Sequence, residues 1–201
     1  LINLKQNKLH IEYSKEKVLI DGSSKFYIDE NFDNSINFQI KKIKNKIDFK
    51  TLLDLDKIKF SIEDISYKKL RNQNATLQVK GFKNNKKLLF ESIDYKEKNN
   101  SIVINNLEIN NNKITNVDKV KFDFLSKNNF KNQINLIKKD DNYELVGKSF
   151  DSIQLIENIS DSESDKNFFE IFDNLNTKIK INIEEVKLDD ENIVNNLNGN
   201  L

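Results

Sequence analysis

Short runs in which every second residue is apolar and the intervening ones are polar recur along this chain of 201 residues, and no other feature constrains its fold as strongly. Successive side chains of a strand point to opposite faces of a sheet, so such runs describe strands with one apolar and one wet face. Ile36, Phe38 and Ile40 alternate with Asn37, Gln39 and Lys41, and Ile58, Phe60 and Ile62 with Lys57, Lys59 and Ser61. Leu77 and Val79 carry the pattern on. Val120, Phe122 and Phe124 alternate with Lys119, Lys121 and Asp123, Ile134 and Leu136 follow, and Ile179, Ile181 and Ile183 alternate with Lys178, Lys180 and Asn182.

Short polar breaks separate these runs, among them Lys83 to Lys87, Lys96 to Asn100, Asn110 to Lys113 and Lys139 to Asn142. Their close spacing suits hairpins and leaves no room for helical crossovers, so the expected sheet is mostly antiparallel. With only four glycines in the chain, Asn-Asn pairs are the natural turn formers, because Asn tolerates the left-handed backbone at modest cost. Two segments depart from the strand rhythm. Phe150, Ile153, Ile156 and Ile159 have helical spacing, with Ser149 or Asp151 available as a cap, and Phe168, Ile171, Phe172 and Leu175 repeat it after an acidic loop.

Lys and Arg number 33 against 32 Asp and Glu, interspersed along the strands, so no net field draws in nucleic acid. The absence of Cys removes disulfide scaffolds, thiol chemistry and the common zinc sites. No run of about 18 apolar residues is present to form a spanning helix. The chain opens in one alternating pattern (Leu1, Ile2, Leu4), without Met, and stops in another (Leu197, Leu201). Both ends are therefore read as cuts, and residues 1–201 as one segment of a longer β protein.

An apolar sheet face left in water forgoes about 1.5–3 kcal/mol for each large side chain. Two short helices cannot shield a dozen strands. The expected fold is mainly β, an elongated, twisted antiparallel sheet curled into a half-pipe or groove with one or two short helices near 150–175. A sandwich or a closed barrel would answer the same requirement.

One stretch carries a family resemblance. Residues 46–81, with Ile47-Asp48-Phe49 leading into Ile58 to Ile62 and then Tyr67-Lys68-Lys69, resemble the strand, Asp-Leu, strand, Trp-Lys progression of large AsmA-like proteins of the YhdP type. Tyr143 to Asp151 is similar to their signature of a strand ending in Gly-x-Ser-x-Asp before a short helix, here Gly147, Ser149 and Asp151. The return through Val186-Lys187-Leu188 to Asn196-Leu197-Asn198-Gly199-Asn200-Leu201 resembles the family too, so the likeness covers 46–201. Tyr67 stands where the family usually has an indole, and several of its glycines are Asn or Lys here. The resemblance implies a bacterial envelope protein, its parent anchored in the inner membrane, whose elongated β-groove conducts phospholipids across the periplasm to the outer membrane.

On that reading the apolar residues of the runs above line the groove and contact acyl chains, with no catalysis, metal or cofactor. The alternative is a structural or adhesive β-sandwich or solenoid of a bacterial surface protein, its apolar face wholly self-buried. His10, the sole histidine, lies on the polar side of an alternating strand, without partners in sequence for a metal site or a catalytic triad. Carboxylate pairs such as Asp140-Asp141, Glu184-Glu185 and Asp189-Asp190 fall at turns or strand ends, where solvated charge is ordinary.

Overall fold

A computed structural model describes residues 3–27, 34–85, 87–160 and 177–200. Its strands, in chain order, are β1 (Asn3–Tyr13), β2 (Lys17–Tyr27), β3 (Asn34–Ile43), β4 (Lys46–Asp54), β5 (Phe60–Ile62), β6 (Tyr67–Lys69), β7 (Ala75–Asn84) and β8 (Lys87–Glu97). They continue as β9 (Asn100–Asn110), β10 (Lys113–Asn116), β11 (Lys119–Leu125), β12 (Lys131–Lys139), β13 (Asn142–Asp151), β14 (Ile179–Lys187) and β15 (Ile193–Asn200). A 3-10 turn, Glu63–Ile65, joins β5 to β6, and helix α1, Ile153–Ser160, follows β13. The expected second helix, around Phe168 to Leu175, lies outside the described residues.

Thirteen strands form one large twisted sheet in the order β1-β2-β3-β4-β7-β8-β9-β11-β12-β13-β14-β15, with β10 paired to β9, and the sheet does not close into a barrel. The fold is mainly β, as the alternation requires. One detail differs from a wholly antiparallel sheet: β13 and β14 are parallel, from Tyr143 opposite Ile179 to Asp151 opposite Lys187. Parallel neighbours need a long return connection. The span between Asp151 and Ile179, which begins with α1, is long enough to bring the chain back to the end where β13 started.

Two pieces leave the sheet at the same rim, where β4 and β13 end. The first is the segment between β4 and β7, which carries β5, the 3-10 turn and β6. At its base the Asp54 carboxylate accepts the Asp56 N–H at 2.9 Å, and the Asp56 carboxylate accepts the Ala75 N–H at 2.7 Å. These side chains take up backbone donors that would otherwise continue the ladder, so the chain turns out of the sheet after Asp54. The expected strand across Ile58 is thereby shortened to Phe60–Ile62, which pairs only with β6. The second piece is α1. Its cap is Ser152, whose carbonyl accepts the Ile156 N–H at 2.9 Å. Ser149 is still inside β13, and Asp151 reaches only the Ile153 N–H, at 3.4 Å.

Left-handed backbone falls on Lys44, Asn85, Lys98, Asn111, Asn112 and Asp140 at hairpin turns, whereas none of the four glycines has a positive φ. Asn does serve as a turn residue, and Gly is released for close approach within strands. A side chain at Gly81 would put its Cβ 2.1 Å from the Leu89 carbonyl oxygen, where the β7–β8 register shifts. The bare position lets the Phe49 and Phe90 rings meet edge to face across it, 5.8 Å between centroids. Gly81→Val should lower stability by about 1–3 kcal/mol through overpacking, read as a lower urea midpoint with an unchanged slope; an unchanged midpoint would show that the backbone yields there.

Candidate functional site: an apolar sheet face roofed from one rim

Paired residues of neighbouring strands share a face, so the register assembles the apolar runs into rows that cross the sheet. The row nearest the roofed rim runs Ile36, Leu53, Leu77, Tyr95, Ile102, Phe122, Ile134, Gly147, Ile183, Leu197. The next runs Phe38, Thr51, Val79, Ile93, Ile104, Val120, Leu136, Leu145, Ile181, with Ile179 two residues beyond on β14. A third, over the first half of the sheet, runs Ile11, Ile20, Ile40, Phe49, Gly81, Phe90, Leu107. The opposite face carries Asn37, Gln78, Asp94, Lys121, Asn135 and Asn182 in the equivalent places, with Leu52, Val103 and Val146 scattered among them.

The residues expected to line one face thus meet there, with three exceptions. Ile58, Phe60 and Ile62 belong to the β5–β6 hairpin and pack onto the sheet from above, against a core that includes Tyr67, Tyr95 and Phe124. Phe124 points to the same face but is fully buried beneath Tyr67, ring centroids 5.0 Å apart. Several members escaped the sequence pattern, namely Phe49, Phe90, Ile93, Ile102, Ile104 and Leu145. For those in β8 and β9 the reason lies in the strands themselves, where Phe90 and Ile93, and likewise Ile104 and Leu107, are three residues apart yet share a face. An irregularity in each strand, marked in β9 by the left-handed Asn106, resets the alternation.

The hairpin is fastened by buried polar groups. Tyr67 donates its hydroxyl to the Glu97 carboxylate, so the 2.6 Å contact with Tyr95 requires the Tyr95 hydroxyl to donate to Tyr67 in turn. The Asn100 amide donates to the same Glu97 oxygen at 3.1 Å. Burial, aided by the contact with Glu97, raises the Tyr67 pKa far above the usual phenol value, and burial raises that of Tyr95 as well, so both stay neutral donors. Lys69, fully buried, donates from Nζ to the carbonyls of Asp56, Ile58 and Leu70 at 3.1, 2.8 and 2.9 Å. Burial lowers its pKa, against the opposing pull of Glu97, Asp56 and Asp54.

Helix α1 covers the other part of the same rim. Leu155 packs onto a core of Ile134, Phe150, Ile183 and Val186. Between helix, 3-10 turn and sheet lies a cavity of about 300 Å³, walled by carbon from Val120, Leu136, Leu145, Ile181 and Leu197 among others, with Ser152 and Asp64 its polar members. Lys127, in the β11–β12 turn, ties the two covering elements together: Nζ donates to the Gln154 side chain at 2.8 Å and stands 4.0 Å from the Glu63 carboxylate, while its N–H donates to the Ser66 carbonyl at 2.8 Å.

Gly147, Ser149 and Asp151 form the exit into this helix. A Cβ at Gly147 would lie 2.4 Å from the Gln133 carbonyl, at a register shift against β12; Ser149 donates to the Lys131 carbonyl at 2.6 Å; and the N–H of the buried Asp151 donates to the Asn132 side-chain oxygen at 2.8 Å. These contacts hold β13 in place up to the point where the chain departs.

His10 is exposed, 3.4 Å from the Glu12 carboxylate on the same strand. Among the described residues no three His, Cys, Asp or Glu side chains gather as a metal site would require, and no helix is long and apolar enough to cross a membrane. Comparison with protein-family models, curated proteins and solved structures returned no match.

Because Lys69 fills three carbonyl acceptors with one ammonium group, Lys69→Met would take that donor from the Ile58 and Leu70 carbonyls and leave the Asp56 carbonyl with the Asn72 N–H alone. A loss of about 3 kcal/mol is expected at neutral pH, measured by urea denaturation. A loss below about 0.5 kcal/mol would show that the hairpin does not depend on this contact.

Proposed function

We propose that this chain is a segment of a lipid-conducting β-groove of the AsmA-like, YhdP type, which carries phospholipids through the cell envelope without chemistry. Acyl chains slide across the strands over the apolar rows, head groups stay at the uncovered rim, and the polar opposite face meets the aqueous periplasm. Attachment to the inner membrane belongs, on this reading, to other parts of a longer chain.

The row from Phe38 to Ile181 is the observation that carries this reading. It crosses nine strands with Thr51 as its one polar member. At about 4.8 Å per strand that is a track of roughly 40 Å. Each methylene taken from water gains about 0.8 kcal/mol, so a chain of about 16 carbons is worth on the order of 12 kcal/mol, and only an extended apolar surface can replace a membrane for it. The sandwich alternative requires a second large sheet over this face; the other sheet among the described residues has two strands, β5 and β6.

A photo-crosslinking residue at Phe38, Ile93 or Leu136 should yield lipid adducts when the protein is irradiated with phospholipid vesicles, and one at Gln39, Asp94 or Asn135 should not. Paired Ile93→Asp and Ile104→Asp changes should cut adducts at Phe38 and Leu136 at least tenfold while circular dichroism still reports a sheet. Equal labelling of both faces would overturn the proposal.

A further inference from the structure

We infer that β1 is a self-association edge, through which two copies of this chain pair antiparallel about a two-fold axis at His10 and join their sheets into one. This pairing goes beyond the lipid reading and holds whatever the apolar face carries.

β1 ends the sheet, with β2 on one side and no strand on the other among the described residues. Every residue from 4 to 16 is exposed, and Leu9 and Ile11 are each 58% open. Both belong to the apolar face. Leu9 and Phe38 approach each other over Gly22, where a Cβ would lie 2.8 Å from one and 2.4 Å from the other, so Leu9 extends the row of Phe38. Ile11 ends the row of Ile20 and Ile40. The backbone offers its bonding groups at these same two residues. Ser14 donates its N–H to the Lys17 carbonyl at 2.8 Å, toward β2. Alternate residues of a strand turn their N–H and C=O the same way, so Glu12, His10 and Lys8 also face β2, and Leu9 and Ile11 face outward. Such a row of outward groups is a template for another strand.

The strand that fits it is its own copy. Lys8-Leu9-His10-Ile11-Glu12 complements itself when laid antiparallel about its centre. Lys8 then falls opposite Glu12 of the second copy, Leu9 opposite Ile11, and His10 opposite His10. Opposite charges meet on the polar face, where Glu12 otherwise stands 3.4 Å from His10 on its own strand. On the apolar face the row through Leu9 in one copy runs into the row through Ile11 in the other. A slip of one residue would turn Leu9 and Ile11 to face polar neighbours. The bulge between Lys5 and Lys8, with Gln6 left-handed, and the hairpin turn after Tyr13 bracket the segment. The far edge of the sheet, β15, has no charged residue between Ile193 and Asn200, so Lys8 and Glu12 would find no counterpart in a head-to-tail stack of copies.

Thiol crosslinking reads this register, because the chain has no Cys of its own. Leu9 and Ile11 exchange the backbone hydrogen bonds, which makes His10 with His10 and Lys8 with Glu12 the closer, non-hydrogen-bonded pairs, within disulfide reach. Under mild oxidation His10→Cys should give a covalent dimer. Lys8→Cys and Glu12→Cys should not crosslink alone, since each would lie about 14 Å from its own copy, and should crosslink when mixed. Sedimentation equilibrium supplies the second measurement. Lys8→Glu and Glu12→Lys should each raise the dimer dissociation constant about tenfold, and the double swap should restore it. Both side chains are exposed, so circular dichroism should stay unchanged. A wild-type chain that is monomeric at high micromolar concentration overturns the inference. So does crosslinking of Lys8→Cys alone as fast as His10→Cys, or a double swap no better than either single change. If a longer chain lays a strand of its own along this edge, His10→Cys made in that chain stays uncrosslinked, and that result overturns it too.

Discussion

Everything in this structure answers to one requirement, that a sheet with a single apolar face must keep that face from water. A barrel meets it by closure and a sandwich by a second sheet. This chain meets it in part, by folding two short elements over one rim. Beneath them side chains of the sheet are fully buried, as with Phe124 and Ile183. Away from them the face stays accessible, and on the edge strand Leu9 and Ile11 are each 58% exposed. A large apolar surface left open marks a place where something apolar binds, and the proposed lipid track follows from that imbalance.

The cover is held differently at its two ends. Over β7 to β9 the hairpin is locked by the Tyr67, Tyr95 and Glu97 hydrogen bonds and by the Lys69 ammonium, buried groups that are costly to part once desolvated. Over β12 to β15 the helix rests on Leu155 and on surface contacts through Gln154. Lys127 links the two. The hairpin end is fixed by buried polar groups, and the helix end encloses the cavity.

Backbone economy is a second theme. Where glycine is scarce, Asn, Lys and Asp supply the left-handed turns, and the glycines in β7 and β13 sit where a Cβ would strike a neighbouring carbonyl. At Gly81 and Gly147 these close approaches coincide with register shifts. Substitution there is a matter of sheet geometry, whatever the face conducts.

The fold class, the sidedness of the strands and most hairpin turns were legible in the residues alone, because alternation is a local property and each strand such as Ile36 to Ile40 displays it within a few positions. The short helix after β13 was legible too, from the helical spacing of Ile153, Ile156 and Ile159. Which strands pair, and where a register shift resets the phase, depends on partners far away in sequence. That is why Ile93 and Ile104 were missed and why the β13–β14 pair proved parallel. It is also why Phe60, whose local pattern matches that of Phe38, ended in the cover: side-chain bonds from Asp54 and Asp56 turn its strand out of the sheet. The cavity draws its walls from elements between Asp64 and Leu197, and only tertiary structure could bring those together.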